Sequence, residues 1–70
     1  MKANYTAIVK NDSGWWIGWV EEVPGVNCQE QSREELLDSL QTTLREALET
    51  NRADAVDAAG KEFEELEIAV

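Results

Sequence analysis

The stretch Ser13–Val26, S-G-W-W-I-G-W-V-E-E-V-P-G-V, constrains the fold more than any other. It carries all three tryptophans, the only proline and three of the four glycines. Trp15 to Val20 is an apolar run of strand length, rich in the bulky residues that suit a pleated surface. Gly14 opens it and Pro24-Gly25 closes it. Pro24-Gly25 suits the central pair of a type II turn, because proline fixes φ at the first position and glycine accepts φ > 0 at the second. A strand held between two turns follows.

What packs on that strand is limited by size. The 70 residues make one small domain, spanning 1–70, and a chain of this length buries only about 60% of the surface its unfolded form exposes. One cysteine rules out an intrachain disulfide, and the lack of histidine removes the commonest metal ligand. Homo-oligomerisation, as a dimer or tetramer, is therefore the expected source of further burial. No apolar run approaches a membrane span and no signal-like segment opens the sequence, so the expected compartment is the cytoplasm, with no membrane partner. The formal charge is −9. Residues 1–31 hold four acids and two bases, and residues 32–70 hold eleven and four. Such a chain repels phosphate backbones, so no direct nucleic-acid contact is expected, while a basic protein partner suits it.

Asn4–Lys10 (N-Y-T-A-I-V-K) reads as a first strand, and Asn11-Asp12-Ser13-Gly14 as the turn of an antiparallel hairpin with Trp15–Val20. With Lys10 set opposite Trp15, one face carries Tyr5, Ala7, Val9, Trp16, Gly18 and Val20. The other carries Thr6, Ile8, Trp15, Ile17 and Trp19. Both are apolar. Gly18 inside the strand points to a bulge or a close backbone approach. Val26–Gln31 alternates and reads as a short third strand, with Val26 and Cys28 inward.

Ser32 and Glu35 have the spacing of a capping box, opening a helix whose Leu36, Leu37, Leu40, Leu44, Ala47 and Leu48 fall on one stripe. That stripe is the lid for one sheet face. Thr50-Asn51 reads as an interruption, followed by a short second helix over 53–59 that stops at Gly60. Leu66, Ile68 and Val70 alternate with Glu65, Glu67 and Ala69, which predicts a fourth strand over 64–70. Phe63 is expected at the loop entering it. The predicted fold is α+β in the order β-β-β-α-β: a three-stranded antiparallel meander, a long helix, and a fourth strand returning by a right-handed crossover.

Catalytic chemistry finds no foothold. No histidine is present to activate Cys28, no Gly-rich phosphate loop occurs, and the first strand has no carboxylate with which to begin a two-metal site. The expectation is a non-enzyme that uses no cofactor and no metal.

The segments N-Y-T-A-I-V-K, G-W-W-I-G-W-V-E-E-V-P-G-V and S-R-E-E-L-L-D-S-L-Q-T-T-L-R-E-A-L-E together resemble the HicB family of antitoxins. The resemblance covers residues 4–50, and E-F-E-E-L-E-I-A-V resembles the closing strand of short members. Glu21 departs from the family pattern, which often has proline there. The resemblance implies a truncated ribonuclease-H-like fold without nuclease activity. It also implies a partner: a small basic HicA-type toxin that cleaves RNA and is masked when bound. DNA binding belongs to a C-terminal domain of longer members and is not carried over. This sequence is read as the short form.

The uncovered apolar face then becomes the expected interface, toward the toxin or toward another copy. Ile8, Trp15, Ile17 and Trp19 are its candidate contacts, with Glu21 and Glu22 as candidate partners for basic residues. Two rival readings are a free-standing oligomeric protein-binding module and a small-molecule binder using the aromatic face.

Overall fold

The computed structural model describes residues 4–69. It is an α+β structure: strands β1 (Ala7–Asp12), β2 (Trp15–Val20) and β3 (Asn27–Glu30), followed by helix α1 (Arg33–Ala59). The strands form an antiparallel sheet in the order β1-β2-β3.

β1 runs on through Asn11 and Asp12, so the hairpin turns over Ser13-Gly14 alone. Ser13 has φ 55° and Gly14 has φ 91°, the pair of positive values that a type I′ turn needs to match strand twist. The Asn11 side-chain oxygen accepts the Gly14 N–H at 3.3 Å. As a result Lys10 lies opposite Ile17 rather than Trp15, and Asp12 takes the place beside Trp15. This corrects the expected register by two residues. A two-residue slip keeps parity, so the membership of each face survives.

The β2–β3 connection is fixed by its turn chemistry. Gly25 has φ 93° and the Val26 N–H bonds the Val23 carbonyl at 3.3 Å, as expected for a turn centred on Pro24-Gly25. The turn folds Val23 and Val26 inward, where with Val20, Leu36 and Leu40 they make the buried core. Tyr5, Val9, Trp16, Cys28, Leu44, Ala47 and Leu48 pack around them.

Helix α1 starts as the capping pattern predicts. The Ser32 hydroxyl accepts the Glu35 N–H at 3.1 Å and donates to the Glu35 carboxylate at 2.9 Å. Its core stripe lies across the sheet and comes close to β2 at Gly18. A Cβ placed there would stand 2.9 Å from the Ile8 carbonyl oxygen, 3.0 Å from Leu40 Cδ1 and 3.2 Å from Leu36 Cδ2. Gly18 is thus a close-approach glycine in an unbroken ladder, not a bulge.

Beyond Leu48 the fold departs from expectation. α1 passes through Thr50-Asn51 without a break and ends at Gly60, so the separate helix over 53–59 is simply its last turns. Thr and Asn cost only a few tenths of a kcal/mol each in a helix interior, and strong helix formers surround them. The stop itself falls where expected: Gly60 has φ 83° and its N–H bonds the Val56 carbonyl. Residues 61–69 form no strand; the last residue of the expected 64–70 strand lies outside the described residues. The unbroken helix explains this. From Leu44, which still lines the sheet, to Gly60 is sixteen residues, a rise of roughly 24 Å. The six residues from Gly60 to Leu66 reach at most roughly 20 Å, so the first half of that strand cannot come level with Leu44. A break at residues 50–51 would have let the chain turn back toward the sheet; a continuous helix carries it away.

Candidate protein interface on the uncovered sheet face

Alternation decides what each face of the sheet shows. In β2, Trp16, Gly18 and Val20 turn toward α1, so Trp15, Ile17 and Trp19 line the opposite face. Their spacing in an extended strand makes a stripe about 13 Å long between the outer two Cα atoms. The register then supplies the flanks. Ile8 lies beside Trp19, Lys10 beside Ile17 and Asp12 beside Trp15 on β1. On β3, Asn27 lies beside Trp19 and Gln29 beside Ile17. No element among the described residues covers this face.

Exposure agrees with that geometry. Trp15 is 43% exposed, Trp19 41% and Ile8 37%, while Ile17, sheltered between the two tryptophans, is half-buried. A central apolar stripe with polar neighbours on both sides is the anatomy of a protein-binding patch. The same four residues, Ile8, Trp15, Ile17 and Trp19, are those that strand parity brings together in the sequence.

The two acids behave differently. Glu21 is exposed at the end of the stripe, and its backbone N–H donates to the Thr6 carbonyl at 2.9 Å. Glu22 turns inward instead: its carboxylate accepts the Thr6 N–H at 2.8 and 3.1 Å. It therefore anchors the chain entering β1 to the end of β2. The Glu21 side chain is thus exposed, while the Glu22 carboxylate is engaged with the backbone entering β1.

Other polar groups are structural too. Glu30 shares the helix-covered face with Trp16, and its carboxylate accepts the Ser39 hydroxyl at 2.8 Å. Cys28 is half-buried with its sulfur 3.5 Å from the Thr43 hydroxyl, an environment of packing with no base beside it. Among the described residues no three His, Cys, Asp or Glu side chains come together in a group able to hold a metal ion. No described helix is long and apolar enough to cross a membrane.

One feature escaped the sequence. An open groove of about 320 Å³ lies between β1 and α1, lined by Tyr5, Ala7, Val20, Leu37, Leu40 and Leu44 among others. Leu37 belongs to the apolar stripe of α1 yet is 38% exposed, because the sheet ends at β1 and no strand among the described residues lies beside it there.

No family model, curated protein or solved structure matches the chain.

Proposed function

We propose that the chain is a non-catalytic antitoxin that binds and masks a small basic RNA-cleaving toxin of the HicA type. The observation that carries this reading is the Trp15–Ile17–Trp19 stripe, left uncovered on a sheet whose other face already has its lid. Tryptophan in the centre of a patch with polar neighbours is a frequent hot spot of protein binding. The formal charge of −9 supplies the second half of the reading, since an acidic surface draws a basic partner into encounter and repels nucleic acid. The third is the HicB-like pattern of the first 50 residues, including the V-P-G-V turn and the capped helix. In the ribonuclease-H-like arrangement which that pattern implies, a returning fourth strand completes the sheet; in our reading residues 64–69 supply it on assembly, in the reduced cytoplasm where such pairs act.

Masking then works by occlusion. The toxin seats on the tryptophan stripe, Glu21 meets a basic side chain at its end, and RNA loses access to the basic surface that would hold it. Co-expression with whichever small open reading frame adjoins its gene tests the reading. A stoichiometric complex and relief of growth arrest are expected; a neighbour that is neither toxic nor bound would overturn it.

A further inference from the structure

The chain is far more open than its mass requires. Its accessible surface is 5779 Å², against roughly 4,400 Å² for a compact monomer of this mass. Its radius of gyration is 15.0 Å, where a compact domain of 70 residues has about 11 Å. The excess has two sources that fit each other. One is the tail after Gly60, in which Leu66 is 76% exposed and Ile68 87%. The other is the β1 edge with the groove beneath it.

The edge is prepared for a strand. The Glu21 N–H bonds the Thr6 carbonyl and the Val20 N–H bonds the Val26 carbonyl. Ladder alternation then directs the N–H and C=O groups of Ala7, Val9 and Asn11 outward, away from β2. No described strand pairs with them. The tail has the matching pattern, with Leu66 and Ile68 on one side and Glu65 and Glu67 on the other. Laid along β1, its apolar side enters the groove beside Leu37 and Leu40, and its acidic side joins the face that carries Lys10.

The tail does not make this pairing within its own chain: it lies beside Arg52 and does not line the groove. Glu65 is ion-paired to Arg52 at 2.9 Å, eight residues and roughly 12 Å along the helix from Leu44 at the groove. Leu66 and Ile68 follow directly and stay beside Arg52, at the far end of the helix from the groove. Even with that ion pair released, the unbroken helix leaves Leu66 outside the groove.

We propose that the chain forms a reciprocal dimer in which residues 64–69 of one copy add to the β1 edge of a second copy as its fourth strand, with Leu66 and Ile68 seated between β1 and α1. The surface in excess, roughly 1,400 Å², is more than the roughly 800 Å² that each partner buries in a stable interface. Exchange of a terminal element between identical chains closes both edges at once and stops at two copies. The toxin reading is not required: the dimer forms on the β1 edge and the toxin on the tryptophan stripe.

The test uses the purified full chain, with its mass measured by light scattering after gel filtration. Leu66→Asp with Ile68→Asp disables the tail, which is exposed and leaves the core intact. Ala7→Pro disables the edge by removing an outward N–H. Wild type is expected to be dimeric and each variant monomeric at the same concentration, with circular dichroism unchanged. Mixing the two variants pairs the intact tail of one with the intact edge of the other, so heterodimer should reappear. A monomeric wild type, a tail variant that stays dimeric, or monomeric variants whose mixture stays monomeric would each overturn the proposal. If Ala7→Pro lowers helicity, Ala7→Asp at the same position serves as the edge variant.

Discussion

Replacing Gly18 with alanine puts a methyl group where β2 passes beneath α1. Three atoms would meet it: the Ile8 carbonyl oxygen at 2.9 Å, Leu40 Cδ1 at 3.0 Å and Leu36 Cδ2 at 3.2 Å. The leucine methyls can shift by a few tenths of an ångström, but the carbonyl belongs to the strand ladder and moves only with it. Overpacking of this kind costs about 1–3 kcal/mol. Loss of glycine's freedom in the unfolded chain returns about 0.4–1 kcal/mol. A net loss of about 1–2 kcal/mol remains. For a small domain with a urea m-value near 1 kcal/mol/M, the midpoint should fall by about 1–2 M. The assay is urea titration followed by tryptophan fluorescence and by far-ultraviolet circular dichroism together. Trp16, packed against the core, should report the transition. A midpoint that is unchanged or raised would refute the reasoning, since it would mean that the helix does not press on β2 at Gly18.

Three further substitutions probe separate parts of the account. Leu36→Ala removes a fully buried side chain and should cost about 2–5 kcal/mol, enough to leave a domain this small largely unfolded by circular dichroism at room temperature. Ser32→Ala removes the N-cap oxygen that receives the Glu35 N–H, and thermal unfolding should show a loss of about 1 kcal/mol, with Ser32→Thr retaining most of it. Trp15→Ala with Trp19→Ala should shift the urea midpoint far less than Leu36→Ala does, because both rings are about two-fifths exposed; a loss of similar size would mean that the stripe holds the fold together.

The tryptophan stripe was legible because strand parity needs only the period of two and the breakers around it. That is why Ile8, Trp15, Ile17 and Trp19 come out on one face even though the register was displaced. The displacement arose at the turn, where Asn11 and Asp12 read as turn residues although Ser13 and Gly14 carry the two positive φ values. The fate of Glu22 was not legible, since nothing local marks its reach to the Thr6 N–H sixteen residues away. At Thr50-Asn51 weak local propensity lost to helix continuity, a balance of tenths of a kcal/mol. The tail teaches a different point. Its alternation is plain in the sequence, but a strand exists only beside a neighbour, and the length of α1 decides which neighbour is within reach.

The central claim is that the uncovered tryptophan stripe is the surface that grips a basic protein. Titration calorimetry of the chain into a small basic HicA-type toxin, the partner proposed above, tests this most directly, with wild type compared to the Trp15→Ala, Trp19→Ala double variant. The account predicts saturable binding by wild type and at least tenfold weaker binding by the folded variant. Equal affinities for the two would place the interface elsewhere and contradict it.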